Sequence, residues 1–278
     1  MDGRLGSIYG ALVGDAYGGI VEFIKVRPLP KDCMAEAEKM NGGGFLNLAP
    51  GQITDDGELT ICLLQALVRK EDPMVWYREW YRSNPIDIGN TCLQAFTGQG
   101  VVETSQANGA LMRASAIGIM PLPLAEIAKL AREDAKRSHP HPVCQEANVA
   151  YCVAIASIVG GLGRAVAEEN ALKFSKHPEV HEWIRTLQEE TGFGQIGWLR
   201  WGLSYAFHFL RTGANYETAV RETVRKGGDT DTNACIVGGL LGAEGVAGIP
   251  PKWLKKVLGC KARPVWLRPA VVEKLLKK

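Results

Sequence analysis

Two short acidic runs hold the residues of this chain that could do chemistry. The first is Ile53-Thr54-Asp55-Asp56-Gly57-Glu58, and the second is Gly227-Gly228-Asp229-Thr230-Asp231-Thr232-Asn233. Each stands directly before an apolar stretch, from Leu59 onward and from Ala234 to Ala243. Each is therefore expected at a helix N-terminus. Capping accounts for part of the pattern, because Thr, Asp and Asn are strong N-caps and Asp55-Asp56-Gly57-Glu58 has capping-box spacing. A cap needs only one side-chain oxygen, however, and each run offers two carboxylates and at least one threonine hydroxyl. If the runs meet in space, four carboxylates repel one another strongly in a partly buried site. A hard divalent cation removes that repulsion, and oxygen-only ligands favour magnesium, calcium or manganese over zinc. Spacing alone leaves both readings open, a pair of caps or a two-metal centre.

The elements that would carry these runs read as helices. Leu5, Ile8 and Leu12 follow helical spacing, Leu59, Leu63, Ala66 and Leu67 make a second stripe, and Ala219, Val220 and Val224 lead into another helix. The small residues Ala147, Val149, Ala150, Val153 and Ala154 predict a helix buried on all sides. Strand-like alternation is scarce. Loops are predicted over 40–50, 82–89 and 98–109. No period of 20–50 residues marks a solenoid, and no Pro/Ser-rich linker divides the chain. The expectation is an all-α protein, a single compact multi-helix domain over residues 1–278. Gly10, Gly14 and Gly18 recur every four residues in the first helix. They imply either close helix packing or close approach of backbone to a ligand.

Composition excludes several classes. Of 278 residues, 46% are hydrophobic, enough for a sizeable core, and the formal net charge of +2 lacks the basic excess of a nucleic-acid-binding protein. Nine Lys or Arg against one acid, Glu273, fall between Lys252 and Lys278. They predict a solvated C-terminal helix, with a docking surface as the alternative. The seven cysteines include no C-x-x-C pair and sit mostly among apolar residues. They read as reduced, buried small hydrophobes rather than a disulfide frame or zinc site. The first ten residues lack the pattern of a signal peptide, and no uninterrupted apolar run reaches the roughly 18 residues of a membrane span. A soluble cytoplasmic protein without membrane or nucleic-acid partners is expected, acting as a monomer.

Further motifs accompany the acidic runs in order: Gly10-Ala11-Leu12-Val13-Gly14-Asp15-Ala16-Tyr17-Gly18 with Glu22-Phe23, Asp87-Ile88-Gly89-Asn90-Thr91, Asn108-Gly109-Ala110-Leu111-Met112-Arg113 and Ser138-His139-Pro140-His141-Pro142. Together with Thr54-Asp55-Asp56 and Gly228-Asp229-Thr230-Asp231-Thr232 they resemble the ADP-ribosylglycohydrolase family, which includes the dinitrogenase-reductase-activating glycohydrolases. The resemblance runs roughly from Gly3 to Trp253. It implies a hydrolase that cuts the bond between C1 of the distal ribose and an acceptor, an ADP-ribosylated protein or small molecule. It also implies two magnesium ions, replaceable by manganese, on Thr54, Asp55, Asp56, Asp229, Asp231 and Thr232. Glu22, Asp56 or Asp231 would activate water. Asp87, Gly89 and Asn90 would contact substrate, Asn108, Gly109, Ala110 and Met112 would cradle the diphosphate, His139 would approach the ADP-ribose, and Trp198 would stack beside it. The short loop after Glu22 is similar to that of arginine-directed members. Gly57 departs from the threonine common there, and Trp198 from a tyrosine.

Each motif also has a plainer reading. His139 can be a loop histidine, Asp87 a turn residue, Trp198 a core residue, Arg113 the partner of a buried carboxylate, and His208 a structural residue. Asp15 can be an inward polar group satisfied by helix backbone. Two other functions share the pattern. One is an ADP-ribose-binding or structural protein on the same scaffold. The other is a metal-dependent phosphohydrolase that cuts the diphosphate.

Overall fold

A computed structural model describes residues 2–189 and 194–277. Among these residues the chain forms fifteen α-helices. The first half contains α1 (Asp2–Gly18), α2 (Lys31–Lys39), α3 (Asp55–Arg69), α4 (Pro73–Arg82), α5 (Asn90–Thr97), α6 (Ser115–Gly118) and α7 (Leu124–Lys136). The second half contains α8 (Pro142–Val159), α9 (Gly163–Phe174), α10 (Pro178–Arg185), α11 (Leu199–Arg211), α12 (Tyr216–Arg225), α13 (Thr230–Gly242), α14 (Pro251–Gly259) and α15 (Val272–Leu276). No strand occurs among the described residues, and two isolated antiparallel bridges join Gly43 to Leu48 and Ala107 to Trp198. The expected all-α class is observed.

Local chemistry sets many of the helix ends. Asp72, His141 and Asn215 each cap the following helix through a side-chain acceptor, at Met74 N, Val143 N and Thr218 N. Pro73 and Pro142 then occupy the first helical position, where no N–H is needed. Met40 and Lys70 end α2 and α3 in the left-handed region. α2 was not legible in the pattern, because it buries only Ala37 and so carries no apolar stripe.

α1 and α13 form the axis of the molecule. Each is buried over most of its length, and they run antiparallel with backbones in direct contact. A Cβ added at Gly6, Gly10 or Gly14 would overlap the carbonyl oxygen of Gly242, Gly238 or Ala234, and one at Gly18 would lie 2.6 Å from the Asp231 Cα. The glycine repeat thus serves helix packing. Ser7 Oγ donates to Gly239 O at 2.8 Å and Thr230 Oγ1 to Gly18 O at 2.9 Å, locking the register, and Tyr216 OH of α12 donates to Gly10 O at 2.7 Å. α8 packs behind this pair. It is long and apolar enough to cross a bilayer, but 72% of it is buried inside the fold, as for the core helix anticipated around Ala150.

The C-terminal region differs from the single solvated helix predicted. Residues 252–277 form α14, two short 3-10 turns and α15. The reason is that one of the basic residues is drawn inward. Arg263 pairs with Glu58 at 2.6 Å, and the Glu58 side chain is fully buried, also accepting from Trp80 Nε1 at 2.6 Å. Five cysteines are buried as expected, whereas Cys33 and Cys260 are partly exposed; all seven are free thiols.

Candidate active site

The α1–α13 register brings the start of α13 beside the end of α1, and α3 begins against the same end. Thr54 and Asp229 stand at the N-cap positions without a side-chain cap bond, and at the start of α13 Asp231 Oδ1 accepts from Thr232 N at 2.9 Å. Asp15 of α1 does that work for α3. Its carboxylate accepts from Thr54 N at 3.0 Å, Thr54 Oγ1 at 2.9 Å and Gly57 N at 2.9 Å. The capping-box reading of Asp55–Glu58 is therefore corrected: the cap comes from another helix, and Glu58 faces Arg263. Gly57 permits this approach, since a Cβ there would lie 2.6 Å from Asp15 Oδ2 and 2.8 Å from Leu12 Cδ2. Asp15 is indeed an inward polar residue, but the backbone that satisfies it belongs to α3 rather than to α1.

The acids converge. Oxygens of Asp15, Asp56 and Asp231 lie within 4.8 Å of one another, and so do oxygens of Glu22, Asp229 and Asp231. Asp231 belongs to both groups. The Thr54 hydroxyl lies 2.9 Å from Asp15 Oδ1, 3.0 Å from Asp56 Oδ2 and 3.4 Å from Asp231 Oδ2. A hydroxyl has one proton to give, so it can satisfy only one of these oxygens. Asp56 Oδ1 and Glu22 Oε2 are buried without any partner. Among the described residues no Lys, Arg or His forms an ion pair with these acids. Burial pushes every one of these carboxyls upward. For Asp56 and Asp231, well above the ordinary value, neighbouring carboxylates add to it. Asp229 is raised less, because Asn108, Asp231 and Thr232 hydrogen-bond to it. Asp15 rises to about 7 and Glu22 to about 9, the latter through burial first and the Asp229 charge second. Oxygen-only donors, excess negative charge and orphaned carboxylate oxygens are what a hard divalent cation requires, so the residues present fit such ions.

These acids floor a cleft of about 310 Å³. Asp55 and Thr232 line it with Asp56, Asp229 and Asp231, while Thr54 lies beneath, fully buried. Asp55 is not in either tight carboxylate group; burial and the nearby Asp87 raise its pKa well above the ordinary value. Asp87 and Gly89 of the α4–α5 connection and Asn90 at the start of α5 line the cleft. Asn108 donates through Nδ2 to Asp229 Oδ2 at 2.7 Å, tying the small-residue loop to the acids. Within that loop the N–H groups of Leu111 and Met112 donate to Asn108 O at 2.8 and 3.0 Å. Gly109 and Met112 border the cleft, and Ala110, which ends the 3-10 turn Asn108–Ala110, sits behind it. His139 also borders the cleft. Trp198 does not. It donates to Gln106 Oε1, packs edge-on against Trp183 and Trp201, and walls a second concavity that shares Ala107 and Gly197 with the cleft. Arg113 pairs with buried Asp134 at 2.9 Å, as its plainer reading had it, and His208 stacks edge-on with Phe209.

Sequence reasoning gave no site role to Asp15 or to Phe23. Asp15 was visible in the glycine-rich first helix, but nothing local reveals that it reaches α3. Phe23 also lines the cleft, with a left-handed φ of 64° that few bulky residues adopt, and its ring packs on the exposed Phe45 at 4.8 Å.

Helix ends and the loops between them build this carboxylate-floored cleft in an all-helical fold. The chain matches the ADP-ribosylglycohydrolase family over residues 2–278 and belongs to it. It is 30% identical over 272 residues to an ADP-ribosyl-[dinitrogen reductase] glycohydrolase of Rhodospirillum rubrum, covering 92% of this chain and 90% of that one. It is 26% identical to an ADP-ribosylarginine hydrolase of Serratia proteamaculans, covering 93% and 76%. A solved structure described as an ADP-ribosylglycohydrolase-related protein complex superimposes with a TM-score of 0.77 at 27% identity, over 92% of both chains. The protein is accordingly a hydrolytic enzyme acting on ADP-ribosyl bonds.

Proposed function

We propose that the protein releases ADP-ribose from ADP-ribosylated arginine, cleaving the bond at C1 of the distal ribose with two magnesium ions held in the acidic cleft. The observation that carries this reading is the set of buried carboxylates around Asp231, which no cationic side chain among the described residues pairs with. Thr54, Asp55, Asp56, Asp229, Asp231 and Thr232 would hold the ions, with manganese as a substitute. Bound there, magnesium would polarise ribose hydroxyls and acidify a water. Glycosidic cleavage develops positive charge on the sugar ring, and a floor of carboxylates is well matched to that charge. Glu22 is suited to accept the proton of water, because Oε2 is free of any partner. It can do so only when ionised, which calls for positive charge beside it; Asp56 and Asp231 are the alternatives. Asp87, Gly89 and Asn90 would position the ribose, and Gly109 N–H would meet the diphosphate. The cleft is small for the whole of ADP-ribose, and the adjoining concavity under Trp198 offers room for the remainder.

Arginine is favoured because the relatives from Rhodospirillum and Serratia are named for dinitrogen reductase and for ADP-ribosylarginine. The test is product analysis with arginine- and serine-linked ADP-ribosyl substrates, with magnesium or with EDTA. Free ADP-ribose from the arginine linkage, only with metal, is expected. Faster release from serine overturns the acceptor, AMP as product makes the protein a phosphohydrolase, and no product makes it a binding protein.

A further inference from the structure

Behind the cleft lies a fully buried polar chain that the proposed chemistry does not use. Arg113 is held by Asp134 Oδ2 at 2.9 Å through Nε, and its ring-side neighbour Tyr77 donates to Asp134 Oδ1 at 2.7 Å. The guanidinium has two further engagements toward the site. Nη1 donates to Gly109 O at 2.7 Å, and Nη2 donates to Ser138 Oγ at 2.9 Å. Ser138 Oγ in turn lies 2.8 Å from His139 Nδ1. Both Ser138 and His139 are fully buried, and His139 Nε2 has no partner.

The proton count along this chain has one satisfactory solution. Arginine only donates, so Ser138 Oγ must accept from Nη2. The serine has one proton of its own, and among the described hydrogen bonds His139 Nδ1 is its sole remaining neighbour. If Nδ1 carried a proton and donated to the serine, the serine proton would be buried without an acceptor, at the cost of an unmade bond. Ser138 therefore donates to Nδ1, and Nδ1 is unprotonated. A neutral imidazole then carries its proton on Nε2. Doubly protonated imidazolium is disfavoured as well: burial first, and the Arg113 charge second, pull His139 down to about 3. Nε2–H is thus an unmet donor on a residue that borders the cleft, and it stands beside Gly109, where a Cβ would come within 3.3 Å of it.

We propose that Ser138, oriented by Arg113, is a positioning residue that fixes His139 as a neutral Nε2–H donor to an oxygen of the bound ADP-ribosyl group. His139 then neither takes up nor releases a proton in the reaction; it binds. The same guanidinium holds the Gly109 carbonyl away from the ligand, so one buried cation sets the hydrogen-bond polarity of two adjacent points on the cleft wall. The ligand assignment rests on the proposed function, whereas the tautomer does not.

The experiment is two-bond 1H–15N NMR on protein labelled at histidine, with His139→Asn to assign the resonance, alongside calorimetric titration with ADP-ribose in magnesium. In the wild type, His139 is expected to show protonated Nε2 and bare Nδ1, unchanged from about pH 5 to about pH 8, across the range where ordinary histidines titrate. Ser138→Ala should lose that fixed tautomer and weaken ADP-ribose binding on the order of tenfold, the value of a lost hydrogen bond. Ser138→Thr keeps the hydroxyl and should restore both. A purely structural serine would leave the tautomer unmoved in Ser138→Ala, and that result overturns the proposal, as does a wild-type His139 protonated on Nδ1. A wild type that binds no ADP-ribose but shows the expected tautomer defeats the functional reading and leaves the Ser138–His139 assignment supported.

Discussion

Glu22 shows what burial among other acids does to a carboxyl of the cleft. Its carboxyl moves from an ordinary 4.5 up to about 9, through burial and the Asp229 charge. Asp15 moves to about 7, chiefly through burial. In the absence of cations, the native protein keeps protons that the unfolded chain has already released. Stability is therefore full below the ordinary carboxyl value and falls as pH rises through the window up to about 9. Urea melts in EDTA at about pH 5 and about pH 8 should show lower stability at the higher value, and magnesium should remove the difference. A cation-free stability that rises over that range would count against the cluster. Gly57 makes a second residue-scale test. A methyl there meets Asp15 Oδ2 at 2.6 Å, so Gly57→Ala should cost about 1–3 kcal/mol in a urea melt and raise the magnesium needed for activity. The two acidic runs were legible because they hold more oxygens than capping can use. Asp15 was not, because its partners lie 39 and 42 residues away and its own surroundings are apolar.

At the scale of elements, the site depends on two helices meeting without side chains between them. The sequence showed the four-residue glycine repeat in α1 but could not say whether a helix or a ligand approached it. The answer lies in Gly238 and Gly242 of α13, which supply the complementary small face. α13 carries Asp231, so its distance from α1 sets how closely Asp231 approaches Asp15 and Asp56. Gly238→Ala places a Cβ against Gly10 O and near Tyr216 OH. It should destabilise the protein by about 1–3 kcal/mol and weaken magnesium binding by calorimetry. Gly248→Ala, which meets nothing within 4 Å, should stay within about 0.5 kcal/mol of the wild type. Equal behaviour of the two variants would contradict a site positioned by helix contact. Helix existence was readable wherever an apolar stripe ran, as at Leu59–Leu67, and failed at α2, whose residues are mostly exposed.

For the whole molecule, the convergence of Thr54 and Asp231 across 177 positions of sequence is the feature that composition and periodicity could not supply. Only the ordered motif set, through its family resemblance, indicated it. The basic C-terminal segment shows the opposite limit: charge counting suggested a solvated face, yet Arg263 is committed to buried Glu58 and ties the end of the chain to α3. Asp15, Glu22, Asp56, Asp229 and Asp231 stand together with no ion-pair partner among the described residues, so the stability of the molecule should be linked to metal. The most direct measurement is the thermal melt of wild type and Asp231→Ala, each in EDTA and in magnesium. A ligand that binds only the native state adds RT ln(1 + [L]/Kd), about 2.7 kcal/mol at a hundredfold excess over Kd. The wild-type Tm should rise clearly with magnesium. Asp231→Ala, which removes the carboxylate common to both groups and one repelling charge, should show no magnesium shift and a Tm in EDTA at or above that of the wild type. A wild-type Tm that is the same with magnesium and with EDTA would contradict the account.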